Sequence, residues 1–271
     1  NYLYWGEIGP DAGKTDTVHG PMGHDEINQA RRAGFYGWPY FVGDNQAYRK
    51  FDFATQTSGP YHNPAHPRNT SPNNTGPQDL PPAQPAFIWY PYGRNRDFPI
   101  VGTGGRNAMA GPTYYADEFP AATRFPDYYH DKTIVYDWMR SWLMAVTVDS
   151  LGGFSHLEPF GDSLRLSRPM DMAFDQNGTL WLLEYGQRWY SSNDDARLSR
   201  IDYVRHNRPP VARLRADVTA GAAPLRVVFS VGESEDYDHD ELTYEIDFQD
   251  GTLSSTGKMQ NARCKMQDAN Y

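Results

Sequence analysis

Short apolar stretches recur along the chain, with turn-forming residues between them. Several short strands punctuated by Gly, Pro and Asn are typical of a sandwich, a barrel or a propeller. The pattern therefore predicts an all-β fold. The predicted strands are Leu3 to Ile8, Ala86 to Tyr90, Thr133 to Tyr136, Trp142 to Val148, Met172 to Phe174, Leu180 to Tyr185 and Leu198 to Val204.

Helical periodicity is nearly absent. One candidate, Asp25 to Ala33, reads as a turn or two of helix with a polar face, ending at Gly34. A hairpin is predicted where Asp175-Gln176-Asn177-Gly178 separates two apolar stretches, because Asn-Gly readily takes the positive φ angles of a type I′ turn. Similar residues around Val148 to Gly153 are expected if four-stranded units repeat.

Residues 54 to 86 are rich in Pro, Asn, Thr, Ser and Gln and hold few aliphatic side chains, so they predict a long loop without a core of its own.

A domain boundary is indicated by the Arg205 to Pro210 stretch, whose two prolines stiffen the chain and prevent strand pairing. Beyond it, Val211 to Ala216, Leu225 to Val231 and Leu242 to Phe248 alternate apolar and polar residues. We therefore expect residues 1–204 to form one domain, 205–210 a linker and 211–271 a small β-sandwich.

Composition narrows the class of protein. With 14 % aromatic residues, 24 Gly and 21 Pro, the chain suits turn-rich pleated sheets. A formal net charge of −9 argues against a nucleic-acid partner, which requires a basic face. The single cysteine permits no internal disulfide and no CxxC site. No apolar run approaches the roughly 20 residues that span a bilayer, and because Asn1 opens directly on a strand without a leader pattern, we expect residues upstream to be missing.

Three blocks in order carry a resemblance to a known family. They are Gly6-Glu7-Ile8-Gly9-Pro10, then Gly23-His24-Asp25-Glu26-Ile27-Asn28, then Gly34-Phe35-Tyr36-Gly37-Trp38-Pro39. They resemble the "EQGP…DEIN…GxNYGWP" signature of the soluble PQQ-dependent sugar dehydrogenases, the glucose/sorbosone dehydrogenase family. The segments Thr103 to Pro112 and Arg168 to Gly186 look like the branch of that family fused to PKD modules. The resemblance implies that residues 1–204 are the C-terminal half of a six-bladed β-propeller.

The tail resembles a PKD domain, an immunoglobulin-like β-sandwich. Asn207-Arg208-Pro209-Pro210-Val211-Ala212 and Asp236 to Tyr244 follow its pattern, and Asp247-Phe248-Gln249-Asp250-Gly251 stands where "DFGDG" is usual. No later strands are recognisable after Gly251, so we expect a domain that is cut short.

The propeller resemblance implies two Ca²⁺ sites. In the family, two successive carbonyls that match Gly9 and Pro10 bind the Ca²⁺ that holds PQQ, and carbonyls on a rigid turn suit this hard ion. A Gly-Pro turn that closes a strand is the other interpretation. The second family site maps to Glu26 and the carbonyl of Tyr36; without the resemblance, Glu26 would be an ordinary solvated acid near a helix N-terminus.

The family also grips the three carboxylates of PQQ with cationic side chains, since guanidinium groups bind carboxylates bidentately. Arg168 matches one of them, but Met170 stands where the family has a second arginine. A family lysine aligns to Met139, beside which Arg140 is a possible replacement. Structural pairing of Arg140 and Arg168 with surface acids is the alternative.

Family catalysis moves a hydride from the sugar C1 to PQQ while a histidine accepts the hydroxyl proton. That histidine would lie upstream of Asn1, so no catalytic residue is assigned. The histidines at 19, 24, 62, 66, 130 and 156 are expected to be surface or turn residues. Asp236, Asp238 and Asp240 form an acidic loop that either binds Ca²⁺, as some PKD domains do, or is a solvated turn.

Three functions stay open at this point. The first is a PQQ- and Ca²⁺-dependent sugar dehydrogenase that is secreted or periplasmic and passes electrons to an acceptor such as a c-type cytochrome. The second is a non-catalytic propeller with a PKD module that binds glycans or serves adhesion or assembly, which Met139 and Met170 favour. The third is a lactonase-type hydrolase that uses Ca²⁺ without a redox cofactor.

Overall fold

The computed structural model describes residues 2–161, 164–204, 210–236, 240–247, 253–256 and 263–265. Strands dominate these residues, and helix is limited to single 3-10 turns at Pro99–Val101, Ala116–Glu118 and Asp127–Tyr129. The prediction of an all-β protein is therefore confirmed. The chain divides into two compact units, Asn1–Tyr203 and Val204–Tyr271, here called the first and second unit.

The strands of the first unit are short, as the frequent turn residues predict. They are β1 (Leu3–Glu7), β2 (Asp25–Ala30), β3 (Phe41–Val42), β4 (Gln46–Ala47), β5 (Arg49–Asp52), β6 (Thr57–Tyr61), β7 (Ile88–Tyr90), β8 (Ala108–Tyr114), β9 (Lys132–Asp137), β10 (Trp142–Val148), β11 (Phe154–Pro159), β12 (Pro169–Phe174), β13 (Leu180–Glu184) and β14 (Arg197–Ile201).

Three antiparallel sheets follow one another along the first unit. Their strand orders are β1-β2-β7, β8-β9-β10-β11 and β12-β13-β14, and two small hairpins, β3-β4 and β5-β6, precede β7. The first strands of the three sheets are neighbours, since β8 contacts both β1 and β12. The backbones of β1 and β8 approach so closely that a Cβ on Gly6 would lie 2.0 Å from the Ala108 carbonyl oxygen.

The middle sheet is buried on both faces. On β9, Ile134 and Tyr136 face the third sheet, where they pack with Leu180 and Leu182. Val135, between them, faces the first sheet and packs with Ile27 and Ile88. This alternation follows from the two-residue period of a strand, and burying each large apolar side chain stabilises the fold by about 1.5–3 kcal/mol. The packing of the three sheets therefore sets where their ends lie.

Residues Asp25 to Ala30 form a strand, so the prediction of a short helix there is wrong. Asp25, Glu26 and Ile27 are buried, and β2 pairs with β1 on one side and with β7 on the other. Tertiary pairing with distant strands has overridden the local polar pattern.

The hairpin predicted at Asp175 to Gly178 is confirmed, and it joins β12 to β13. Its turn differs in type, because only Gly178 takes a positive φ, of 80°, and its amide donates to the Asp175 carbonyl. The predicted long loop at residues 54 to 86 contains one strand, β6, which pairs with β5.

The second unit contains five strands among its described residues. They are β15 (Arg215–Ala216), β16 (Val228–Ser230), β17 (Tyr244–Asp247), β18 (Leu253–Thr256) and β19 (Arg263–Lys265), arranged as β15-β16-β19 and β17-β18. Both β18 and β19 lie beyond Gly251, where the sequence showed no strand pattern. Linker residues 205–209 lie outside the described residues.

Candidate ligand-binding site

A cleft of about 460 Å³ opens at one end of the three adjacent sheets of the first unit. Its walls come from the end of β1, the segment before β8, the β9–β10 turn, the start of β12 and the loop after β13. The residues that line it are Ile8, Asn107, Met109, Trp138, Met170, Tyr185, Trp189 and Tyr190. We call it the aromatic cleft.

The aromatic rings of the cleft hold one another in place through edge contacts. The ring centroid of Trp138 lies 5.3 Å from that of Tyr185 and 5.2 Å from that of Trp189, with interplanar angles of 64° and 73°. Edge-to-face pairs of this kind are favoured by the aromatic quadrupole. A flat, apolar ligand would therefore meet walls that are already positioned.

Arg168 lies against two of these rings. Its Cζ atom is 4.7 Å from the ring centroid of Trp138 and 5.4 Å from that of Trp189, both within cation–π range. Its Nη1 atom is buried and has no hydrogen-bond partner in the described part of the chain. A buried donor left unpaired costs about 1–3 kcal/mol, more when it is charged. An acceptor at this atom, most favourably an anionic one, would remove that cost.

The backbone around Arg168 is strained and firmly held. Arg168 has a φ of 60°, in the left-handed region that side chains disfavour. Its amide donates to the Ser141 hydroxyl at 3.3 Å, and the preceding Ser167 amide donates to the buried carboxylate of Glu184. Glu184 also pairs with Arg197. Burial is the largest single influence on the pKa of Glu184 and acts to raise it, but the hydrogen bonds of the carboxylate together hold that pKa below the ordinary value. The ionised Glu184 carboxylate, bound to the adjacent Ser167 amide, thus helps to hold Arg168 in its strained backbone conformation.

Asn107 supplies an acceptor to the cleft wall. Its backbone is fixed on both sides, because its amide donates to Asp137 Oδ2 at 2.9 Å and its carbonyl accepts from the Trp138 amide at 3.1 Å. The side-chain Oδ1 atom is buried without a partner among the residues that the structure describes. A ligand hydroxyl or N–H would complete this group.

The Gly9–Pro10 turn lies beside the cleft, next to Ile8. The Gly9 amide donates to Asp25 Oδ1 at 3.1 Å, and the Pro10 carbonyl accepts from Arg106 Nη2 at 2.6 Å. Arg106 also forms an ion pair with Asp25, and both side chains are buried. The Pro10 oxygen, a predicted Ca²⁺ ligand, therefore already has a guanidinium against it.

Glu26 faces Glu7 across the β1–β2 pair, and both carboxylates accept from the side-chain amide of Asn28, at 3.2 and 3.1 Å. The Gly43 amide donates to Glu26 Oε1 at 2.5 Å. Burial, with a smaller contribution from Glu7, raises the pKa of Glu26 to about 7. Asn28 Oδ1 is buried and has no partner within the described residues, while Nδ2 is the Asn28 atom that joins the two carboxylates.

The side chain of Tyr36, whose carbonyl the resemblance adds to this second site, packs elsewhere. Its ring lies edge-on to Trp5 at 4.9 Å, and its hydroxyl donates to the Arg32 carbonyl at 2.7 Å. Across the described ranges, no group of three or more His, Cys, Asp or Glu side chains is arranged to hold a metal ion.

Arg140 is bound to the main chain. Its guanidinium donates to five carbonyl oxygens at 2.8–3.3 Å, which belong to Pro91, Val101, Gly102, Gly104 and Gly105. Burial lowers its pKa. The side chain thus holds the loop around residues 99–105 in place, and the adjacent Met139 packs against Gly105.

The acidic loop of the second unit and the histidines are the remaining sequence candidates. In the second unit, the Asp240 amide donates to Asp236 Oδ1 at 3.2 Å, and Asp238 lies outside the described residues. Among the histidines, His24 is buried, which lowers its pKa, and its Nδ1 is 3.1 Å from the Met22 carbonyl. His62 stacks on Tyr40 at 4.2 Å.

Comparison with protein-family models, with curated proteins and with solved structures finds no match to this chain. The functional argument therefore depends on the geometry of the site. No helix in the described part of the chain is long and apolar enough to cross a membrane.

Sequence reasoning singled out Arg168 and Met170 and missed most of the cleft. Trp138, Tyr185 and Trp189 lie in no motif that marks them as ligand contacts, and Asn107 belongs to a family block without an assigned role. One available signal was the density of aromatic residues in Tyr185 to Tyr190, a segment that is otherwise polar and turn-like.

Proposed function

We propose that this chain is part of a PQQ-dependent sugar dehydrogenase of the soluble glucose/sorbosone type and that the aromatic cleft is its ligand site. Consecutive antiparallel sheets whose first strands are neighbours support the propeller half of this proposal. An immunoglobulin-like, PKD-type second unit is proposed with it. The observation that carries the function is the unpaired, buried Nη1 of Arg168 beside the rings of Trp138 and Trp189.

The residues of the cleft fit PQQ, which is a flat, fused-ring quinone with three carboxylates. The tryptophan rings offer flat apolar contact, and Arg168 offers a charged donor to one carboxylate. Met170 and Met109 add polarizable side chains that adapt to an aromatic ligand. When bound, PQQ would supply a two-electron acceptor for the hydride of a sugar.

The residues of this chain would bind and orient the ligands. Arg168 would hold a cofactor carboxylate, and Asn107 Oδ1 would accept from a hydroxyl or N–H. The aromatic walls would exclude water, which strengthens both polar contacts. Function in a secreted or periplasmic location, with an acceptor such as a c-type cytochrome, belongs to the same proposal.

Calcium fits the pair of Glu26 and Glu7 better than the Pro10 carbonyl. Ca²⁺ takes carboxylate oxygens, and this pair provides two carboxylates directly opposite each other in the β1–β2 register. A cation would also lower the pKa of Glu26, which burial holds near 7. At Pro10, by contrast, a calcium ion would lie against the positive charge of Arg106, whose Nη2 donates to the same carbonyl.

A titration of the full chain with PQQ, read by quenching of tryptophan fluorescence with and without Ca²⁺, tests the proposal. We expect saturable quenching, and we expect Arg168→Ala to weaken PQQ binding about 10- to 100-fold, because a hydrogen bond to a charged group contributes about 1.5–3 kcal/mol. Arg165→Ala, which removes an exposed arginine nearby in sequence, should stay within about twofold. Absence of saturable quenching, or equal affinity of Arg168→Ala and wild type, would refute PQQ binding at the cleft.

A second candidate function is carbohydrate binding without redox chemistry. It is favoured by Met139 and Met170 at positions where the family has cations, and by Arg140, whose guanidinium is committed to five carbonyl oxygens. Calorimetric binding of sugars by a chain that takes up no PQQ would support this candidate over the first.

A further inference from the structure

The loop that follows β13 presents two large aromatic side chains at the edge of the cleft. Tyr190 is 91 % exposed and Trp189 is 49 % exposed, and their ring centroids lie 5.6 Å apart at an interplanar angle of 62°. A tyrosine ring exposed to this degree leaves apolar surface in contact with water, which is less favourable than burying it. We call Trp189 and Tyr190 the aromatic platform.

Hydrogen bonds brace the loop that carries the platform, and the backbone of that loop is strained. Tyr190 has a φ of 49°, which is an outlier for a bulky side chain and costs about 1–3 kcal/mol. Asn193 braces the loop by accepting from the Arg188 amide at 2.8 Å and donating to the Arg188 carbonyl at 3.0 Å. Asp195 accepts from the Gln187 amide at 3.0 Å and from the Ser167 hydroxyl at 2.6 Å, which ties the loop to the segment that carries Arg168.

The platform continues the wall of the cleft. Trp189 contacts Trp138 and lies beneath Arg168, whereas Tyr190 extends outward from it. Exposed aromatic faces that are fixed before binding suit ligands with flat, weakly polar C–H surfaces, and pyranose rings have such faces. The unpaired Asn107 Oδ1 in the same cleft matches a hydroxyl donor, which every sugar ring carries.

We propose that Trp189 and Tyr190 form an outer subsite for a second sugar ring, so that the ligand of this chain is an oligosaccharide or a glycan end and not a free monosaccharide. The inner ring lies beside Asn107, in the part of the cleft away from Arg168 and the cofactor carboxylate it would hold, and the next ring stacks on the platform. This inference rests on the proposed function in one respect, the binding of a sugar in the cleft.

Isothermal titration of the full chain with gluco-, malto- and xylo-oligosaccharide ladders of one to four units tests the subsite. In the ladder that binds, we expect affinity to rise about tenfold from one unit to two or three and then to level off. Tyr190→Ala should abolish that gain, so that one, two and three units bind with equal affinity, and Tyr190→Phe should retain it. Phe53→Ala, which removes a 77 % exposed aromatic side chain outside the cleft lining, is the matched control and should behave as wild type.

Equal affinity for all lengths, or an unchanged length dependence in Tyr190→Ala, would overturn the outer subsite. So would the absence of binding in every ladder. The PQQ titration separates this failure from that of the proposed function: PQQ uptake with no dependence on chain length removes only the subsite. If affinity depends on chain length, Tyr190→Ala abolishes that dependence and the chain takes up no PQQ, the subsite is supported and the proposed dehydrogenase function is refuted.

Discussion

The guanidinium of Arg106 forms an ion pair with the carboxylate of Asp25 in the interior of the first unit, where the two side chains are 1 % and 0 % exposed. The same guanidinium donates to the Pro10 carbonyl, and Asp25 accepts from the amides of Gly9 and Ala108. This pair therefore joins the end of β1, the start of β2 and the start of β8. It holds together the strand ends from which the cleft is built.

Replacing Arg106 should destabilise the first unit strongly. Arg106→Ala leaves the Asp25 carboxylate buried and unpaired, so we expect a loss of about 3–5 kcal/mol in the free energy of unfolding, measured by urea denaturation. Arg96→Ala removes an exposed arginine and should change stability by less than about 0.5 kcal/mol. A loss below about 1 kcal/mol for Arg106→Ala would mean that Asp25 is solvated or neutral.

The close approach of β1 and β8 can be tested with a pair of glycines. A Cβ on Gly6 would lie 2.0 Å from a backbone oxygen, whereas a Cβ on Gly13 would meet no atom within 4 Å. Gly6→Ala should therefore cost several kcal/mol or prevent folding, because only backbone movement relieves the contact. Gly13→Ala should be neutral or stabilise by up to about 1 kcal/mol. Equal thermal midpoints for the two variants would contradict the packing of β1 against β8.

The pKa of Glu26 predicts a specific dependence of stability on pH. Because this pKa rises from 4.5 to about 7 on folding, the folded protein binds the proton more tightly than the unfolded chain. The contribution of Glu26 therefore becomes unfavourable as pH rises above 4.5 and levels off above about 7, at a cost on the order of 3 kcal/mol. With a chelator present, the ionisation of Glu26 should lower the free energy of unfolding, measured by urea denaturation, at pH 8 relative to pH 5.

Glu26→Gln should reduce that pH dependence, since its amide oxygen still accepts from the Gly43 amide and carries no charge. Glu118→Gln, at an exposed acid, is the control. If Ca²⁺ binds at Glu26, adding it should stabilise the wild type more at pH 8 than at pH 5, and Glu26→Gln should lose that effect. An unchanged pH profile in Glu26→Gln would show that other groups cause the dependence.

Arg140 should act on the loop around residues 99–105. Lysine has three donors where the guanidinium makes five bonds, so Arg140→Lys leaves carbonyl oxygens without partners. We expect hydrogen exchange at the Gly104 amide, which donates to the Tyr92 carbonyl, to accelerate about tenfold or more. Arg94→Lys, at an exposed arginine, should leave the exchange rate unchanged. If the Gly104 amide exchanged as slowly in Arg140→Lys as in the wild type, the loop would be held by its own backbone hydrogen bonds and not by Arg140.

The sequence by itself determined features that depend on neighbouring residues. The strand Trp142–Val148 and the turn at Asp175 to Gly178 were predictable, because a short run of apolar residues and the positive φ of Gly178 are local properties. The all-β class follows from many such signals together. β8 was missed because Gly111 and Pro112 interrupt its pattern, and the structure accommodates them where its register with β9 shifts.

Only the tertiary structure decided what the polar residues do. Asp25–Ala30 became a strand because β1 and β7 lie on either side of it, and the same sheets bury Glu26. Arg140, a candidate cofactor ligand in the sequence, is occupied by main-chain carbonyls that lie 35 or more residues away. Asn107 and Trp189 meet at one cleft, with Arg168 against the rings of its wall, because packed sheets bring their strand ends together. Such convergence depends on long-range packing, which local pattern does not encode.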